Sequence, residues 1–245
     1  RFWRAEALYR AEDYNAAIAG FNQFLQSPGA TSLPEFNEVY YNLGYAYFKL
    51  EDYSRAGATF SKYLTAMQGR RTPKIADVYN RLGDTHFVAR DYGEAVKNYQ
   101  QAFSMKIYDA DYSLYQLAFC SGLQRNQAGK ISQLRSLITS YPQSAYLDDA
   151  YYELGRTYER EGNYADAKKE YLIIAEKYKE SSYYPKALLQ LGLVHYNLED
   201  YQNSLKYYKL VAENYGGTLE AQSALAGIKN CYIEMNNVDA YFTYA

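Results

Sequence analysis

"YYNLGYAYFKLEDY", residues 40–53, places five tyrosines and one phenylalanine in fourteen positions. Tyr40, Leu43, Gly44 and Tyr47 follow the three-and-four spacing of one helical face. Tyr41, Tyr45 and Phe48 run at i, i+4 and i+7 along another. The polar tripeptide Glu51-Asp52-Tyr53 then interrupts the pattern. Asp52 suits the N-cap of a following helix, because its short carboxylate can accept backbone N–H groups that lack helical partners. The stretch therefore reads as a helix, a turn and the start of a second helix.

The same reading recurs along the chain. "EDY" stands at 12–14, 51–53 and 199–201, "RDY" at 90–92 and "GNY" at 162–164. Nine residues before each of these tyrosines lies a small residue: Ala5, Gly44, Gly83, Gly155 or Gly192. Weaker copies are centred on Ala118 and Gly227, so successive small residues are 39, 39, 35, 37, 37 and 35 apart. Repetition at this period marks an array of two-helix units. The expected repeats are about 1–33, 36–71, 74–107, 109–143, 147–181 and 184–217, with an incomplete one over 219–245. Together they form one array over 1–245. The chain opens "RFWRAEALYR", as if inside a helix, and stops as another begins, so it is expected to be a fragment of a longer protein.

Two turns have the spacing of a capping box, Asp91 with Glu94 and Asn163 with Asp166. Repeat four departs from the pattern, with Lys130 where an alanine belongs and Gln127 in place of the turn tyrosine. Its second helix is expected to be shifted or bent. The stretch "EKYKESSYYPKA" is expected to extend the second helix of repeat five, and repeat seven carries one extra residue before Ala240.

Composition narrows the function classes. With 26 Lys and Arg against 28 Asp and Glu the formal net charge is −2. Binding nucleic acid through a basic patch requires clustered cations, so that class is disfavoured. No stretch approaches the 18 or so apolar residues of a membrane span. Cys120 and Cys231 have no framework or zinc spacing. His86 and His195 occupy slots that hold Tyr47 and Tyr158 in other repeats, which points to packing. His195 and Glu199 have ligand-like spacing but no third ligand. The cluster Arg70, Arg71 and Lys74 reads as a solvated loop. No catalytic constellation, metal site or cofactor site emerges.

The repeat resembles the tetratricopeptide repeat family, whose pattern is an aromatic, two residues, Leu-Gly, two residues, Tyr, then Ala, three residues and an aromatic. Repeat two supplies Tyr40, Leu43, Gly44, Tyr47, Ala56 and Phe60. Repeat three supplies Tyr79, Leu82, Gly83, His86, Ala95 and Tyr99. Repeat five supplies Tyr151, Leu154, Gly155, Tyr158, Ala167 and Tyr171. The resemblance implies an all-α solenoid of antiparallel helix pairs wound into a right-handed superhelix. It also implies a non-enzymatic scaffold that binds an extended segment or helix of a partner protein in its concave groove.

First helices line that groove in the family, at positions −3, +1, +4 and +5 from the small residue. The resemblance thus offers Tyr9, Arg10, Tyr41, Tyr45, Phe48, Lys49, Asn80, Asp84, Phe87, Tyr115, Phe119, Tyr152, Arg156, Arg160, Leu193 and Tyr196 to a partner. A carboxylate clamp is not expected, since repeats one to three are mostly aromatic or acidic there and Arg156 and Arg160 of repeat five are balanced by Glu159. The style of "SYPQSAYLDDAYYELGRTYEREGNYADAKKEY" is similar to bacterial cell-envelope members, the outer-membrane assembly lipoprotein and the Tol-Pal-associated type. That implies a periplasmic or outer-membrane-associated location, with a cytoplasmic one as the alternative. An architectural spacer, a carbohydrate or small-ligand binder, and an accessory region of an enzyme are the rival readings.

Overall fold

The computed structural model describes residues 1–244. Fourteen α-helices follow one another: α1 (Phe2–Arg10), α2 (Tyr14–Leu25), α3 (Glu38–Lys49), α4 (Tyr53–Ala66), α5 (Pro73–Val88), α6 (Tyr92–Met105), α7 (Ala110–Leu123), α8 (Gln127–Ser140), α9 (Leu147–Arg160), α10 (Tyr164–Lys177), α11 (Tyr184–Asn197), α12 (Tyr201–Asn214), α13 (Leu219–Glu234) and α14 (Val238–Tyr244). There is no strand among the described residues. Odd-numbered helices are the first helices of the repeats and even-numbered ones the second. The chain divides into two compact units, Arg1–Lys130 and the part from Ile131 onward, so the division falls within α8.

A close approach between the two helices of a pair explains the small residue in repeats two, three, five and six. A Cβ built on Gly44 would lie 2.6 Å from the Phe60 ring, and one on Gly83 2.5 Å from the Tyr99 ring. Gly155 faces Tyr171 and Gly192 faces Tyr208 in the same way, at 2.4 and 2.5 Å. Real Cβ atoms do not approach that closely, so only glycine lets these aromatics seat. Phe60, Tyr99 and Tyr171 are essentially sealed from solvent. Each such ring removes a large apolar area from water, worth about 1.5–3 kcal/mol for a full side chain. In repeat one the roles exchange, and it is Gly20 of α2 whose Cβ would strike Ala5 of α1, at 2.8 Å.

The turns repeat as closely as the cores. Glu12, Glu51, Arg90, Arg125 and Glu199 all have φ near +60°, and Gly162 stands at the same place with φ +75°. Each is the left-handed residue that closes a helix C-terminus. The next residue's N–H donates back to the carbonyl five positions earlier, as from Asp52 to Tyr47 and from Asp200 to His195. That residue's side chain then caps the following helix: Asp13, Asp52, Asp91, Asn163 and Asp200 each accept a backbone N–H. The boxes at Asp91 and Asn163 are therefore one-armed. The Asp91 N–H is spent on His86, and the Glu94 carboxylate pairs with Lys97 instead.

Three sequence expectations change. α8 is not shifted: Gln127 begins it nine residues after Ala118, where tyrosine begins the other second helices. Asn126 supplies the cap to the Gly129 N–H, and Lys130 is accommodated by running its stem past Gly122. The stretch after α10 does not lengthen it. α10 has the same 14 residues as α6 and α12: it ends at Lys177, where Tyr178 leaves the helical region, and Ser181 Oγ accepts the Tyr183 N–H in the turn that follows. In repeat seven the left-handed residue is Asn236, nine positions after Gly227 rather than seven, so the first helix gains two residues before the turn.

Replacing Gly83 with Val should lower stability by about 3 kcal/mol through overpacking. Gly216→Ala, where a Cβ meets nothing within 4 Å, should stay within about 0.5 kcal/mol of the parent. Urea unfolding of the two variants checks this, and equal midpoints would refute the glycine–ring constraint.

Candidate interaction surface of the first helices

In the first unit, side chains of α1, α3, α5 and α7 meet one another along a single face. Asn42 Nδ2 donates to Glu6, Lys74 pairs with Glu38, and Ser113 donates to Asn80 Oδ1 at 2.7 Å. The centre of the face is a polar network on α5. Asp77, Arg81 and Asp84, at i, i+4 and i+7, lie on one stripe of that helix. The hydroxyls of Tyr41 and Tyr45 on α3 both donate to Asp77 Oδ2, Tyr41 at 2.8 Å. Those of Tyr99 on α6 and Tyr112 on α7 both donate to Asp84 Oδ1, at 2.7 and 2.6 Å. Arg81 stands between the carboxylates, with Nη1 2.6 Å from Asp84 and Nε 3.6 Å from Asp77. Its guanidinium also lies 5.6 Å from the Phe48 ring centre and 5.1 Å from that of Tyr112.

Burial sets the electrostatics of this network. It pushes the phenols of Tyr41, Tyr45, Tyr99 and Tyr112 upward, each further raised by its carboxylate partner, so all four are firm donors. Burial also pushes the Asp84 carboxyl above the usual carboxylate range, against the opposing pull of Arg81 and the two phenols. A carboxylate withdrawn from water is costly unless paired and hydrogen-bonded, and here both are satisfied.

The expected groove residues divide accordingly. Tyr9, Tyr41, Tyr45, Phe48, Phe87 and Phe119 are half-buried, and Arg10 and Lys49 are exposed. Asn80, Asp84 and Tyr115 are corrections, closed to solvent at 0, 9 and 8% exposure. They pack between neighbouring helices and offer little surface to a partner. The polar tips of Tyr41 and Tyr45 are turned inward to Asp77, and Lys74 lies over the Tyr41 ring. Asp77, Arg81 and Tyr112 were not among the expected residues. They are the ones that bind the face together, and the signal was present as a charged i, i+4, i+7 stripe inside an apolar first helix.

The second unit has a different arrangement. Tyr152 is closed to solvent, another correction, with its ring 4.7 Å from that of Tyr183 and 5.8 Å from that of Tyr171. Arg156 is exposed and pairs with Glu153 at 2.9 Å, not with Glu159, which accepts the Tyr171 hydroxyl at 2.8 Å. Arg160 is exposed, and Leu193 and Tyr196 are half-buried, Tyr196 reaching Glu234 at 3.3 Å. Buried Glu170 on α10 takes both arms of Arg135 from α8. His195, 6% exposed, places Nδ1 2.9 Å from its turn carboxylate Asp200 and stacks on Tyr207. It fills the tyrosine slot and ties it to the helix cap. His86 repeats the geometry more loosely in the first unit, 3.8 Å from Asp91.

Comparison with known proteins agrees with the repeat. Three family models, each described as tetratricopeptide repeat, match residues 35–107, 112–144 and 152–217. Among solved structures, the C-terminal part of a TPR repeat-containing protein from Cytophaga hutchinsonii is 15% identical with a TM-score of 0.67, covering 94% of this chain and 95% of that one. PilW, a widely conserved type IV pilus biogenesis factor, is 19% identical with a TM-score of 0.66, covering 91 and 96%. YrrB, a TPR protein with an unusual peptide-binding site, is 16% identical with a TM-score of 0.59, covering 76 and 90%. At these identities the likeness is one of fold. No curated protein matches the chain in sequence.

The raised Asp84 carboxyl gives a signed pH dependence. A group whose folded pKa exceeds its unfolded one takes up its proton more readily in the folded state. Its contribution therefore improves as pH falls from neutral through the folded pKa and is lost as pH rises. Relative to Asp84→Asn, the parent should gain stability as pH is lowered from neutral through the acid range, read from urea midpoints along the way. A pH-independent difference would remove Asp84 as a titrating group in that window.

Proposed function

The chain belongs to the tetratricopeptide repeat family, and we propose that it is a non-enzymatic scaffold holding a partner protein by an extended segment or helix on its first-helix face. The observation that carries this reading is the row of half-buried rings on the first unit. Tyr9, Tyr45, Phe48, Phe87 and Phe119 remain partly accessible after the core is complete. Aromatic groups supply large contact area at low entropic cost and dominate interface energetics. They stand on helices fixed by the polar network beneath them, so the surface is pre-organised and less ordering is needed on binding.

YrrB, a TPR protein with a peptide-binding site, offers one analogy for such a role. The cell-envelope setting rests on repeat style and on the fold likeness to PilW, and with it goes the periplasmic or outer-membrane-associated location. A spacer whose face stays empty is the reading that the following test would leave standing.

Peptides selected from a random display library on the immobilised chain provide the probe. The double variant Phe48→Ala, Phe87→Ala should bind the selected peptides about tenfold or more weakly, as loss of central aromatic anchors does. Tyr99→Ala should instead lower stability by about 3–5 kcal/mol, as buried aromatic truncations do. Selected peptides indifferent to Phe48 and Phe87 would overturn the assignment of this face.

A further inference from the structure

The cations Arg70, Arg71 and Lys74 stand together in the sequence but take different places in the structure. Lys74 pairs with Glu38 and lies 5.0 Å from the Tyr41 ring centre. Arg71 turns to the next loop, with Nη2 3.4 Å from the Met105 carbonyl. Arg70 is exposed, and its guanidinium has no hydrogen bond or ion pair among the described residues. Beside it opens a cavity of about 420 Å³ between the end of α4 and the starts of α3 and α5. Met67, Pro73 and the Tyr63 ring give the cavity apolar walls, and Glu38, Arg70 and Lys74 supply its charges. Small-molecule sites have volumes of about 300–1,000 Å³, and this one falls among them.

Tyr63 adds an independent observation. The residue is 1% exposed and its ring packs 5.5 Å from that of Tyr41, yet its hydroxyl has no hydrogen-bond partner among the described residues. A polar group withdrawn from water is normally paired, because leaving it unpaired is costly. The oxygen is not sealed in the core, and the side chain lines the cavity. Burial pushes this phenol up to about 12, with Glu38 adding to the rise and Arg70 opposing it, so at neutral pH it is a protonated donor.

These groups define a ligand. Tyr63 offers one O–H, and Arg70 offers a planar fork of N–H groups that matches a carboxylate. Glu38, the acid of the lining, is occupied by Lys74. One uncompensated cation remains, which a singly charged carboxylate balances and a nearly doubly charged phosphate group would exceed. The apolar walls are satisfied by an apolar body on the same molecule.

We propose that this cavity binds a small organic carboxylate, its apolar body against Met67, Pro73 and the Tyr63 ring and its carboxylate accepting hydrogen bonds from the Tyr63 hydroxyl and Arg70. The site goes beyond the scaffold reading and does not depend on it, since neither Phe48 nor Phe87 lines the cavity.

Three probes separate the two demands: hydrocinnamate has body and charge, hydrocinnamyl alcohol the body alone, and acetate the charge alone. Each is titrated into the isotope-labelled 245-residue chain and followed by two-dimensional NMR. Hydrocinnamate should give saturable shifts at the backbone amides of Met67, Arg70 and Lys74, with the alcohol and acetate each about tenfold weaker. Arg70→Gln should lower hydrocinnamate affinity about tenfold and leave the alcohol unchanged. Tyr63→Phe keeps the ring and should weaken hydrocinnamate about threefold. Lys62→Gln, which removes an exposed cation of α4 outside the cavity, should change nothing. Urea midpoints of the three variants should stay at the parent value, so that lost binding is not lost folding. Shifts spread away from the cavity, no saturable shift at tens of millimolar, equal binding of acetate or the alcohol, or indifference to Arg70→Gln would each overturn the proposal.

Discussion

Four of the helix pairs depend on one steric fact, that an aromatic ring of the second helix occupies the space where the first helix would carry a Cβ. The Gly44–Phe60, Gly83–Tyr99, Gly155–Tyr171 and Gly192–Tyr208 pairs set the spacing between helices. Once that spacing is fixed, the remaining faces of the first helices are close enough for side chains to bond from one repeat to the next. Tyr99 shows both consequences in one residue. Its ring locks α6 on α5, and its hydroxyl caps the Asp84 carboxylate that organises the neighbouring face. Core and candidate surface are two ends of the same side chain.

Much of the fold was legible in the sequence because repetition averages out local ambiguity. A lone "EDY" is a weak turn signal, but five related tripeptides at a fixed distance from a small residue define helix starts to the residue. The failures were local. Lys130 looked like a break in the pattern, yet a long aliphatic stem can lie along a glycine such as Gly122 and preserve the helix register. "EKYKESSYYPKA" reads as an extension of α10, yet the helix ends at Lys177, with Tyr178 out of helical geometry and the next helix starting at Tyr184. The capping boxes had the right residues, but the turn had already used the N–H that would complete them.

The candidate surface was less legible, for a different reason. Helical period assigns a residue to a face but does not say which atoms on that face find partners. Asn80 and Tyr115 have groove spacing and are nonetheless covered by neighbours. Tyr41 and Tyr45 are half-buried where the Tyr47 ring is closed to solvent, and the destination of their hydroxyls depended on Asp77, 36 and 32 residues away. Such pairings exist only once two repeats stack. A search for charged residues inside otherwise apolar first helices would have found Asp77 and Arg81.

One ring connects neighbours more tightly than the others. Tyr208 sits against Gly192 of its own repeat and also against Gly227 of the next, whose Cβ would come within 2.4 Å. In a solenoid, stability is a sum of repeat terms and nearest-neighbour terms, and here one side chain belongs to both. Peeling away α13 would strip one wall from a ring that α11 needs for its own packing. Fraying from that end therefore cannot stop cleanly at a repeat boundary: the loss of one repeat loosens the next, which gives this part of the array a coupling length longer than a single helix pair.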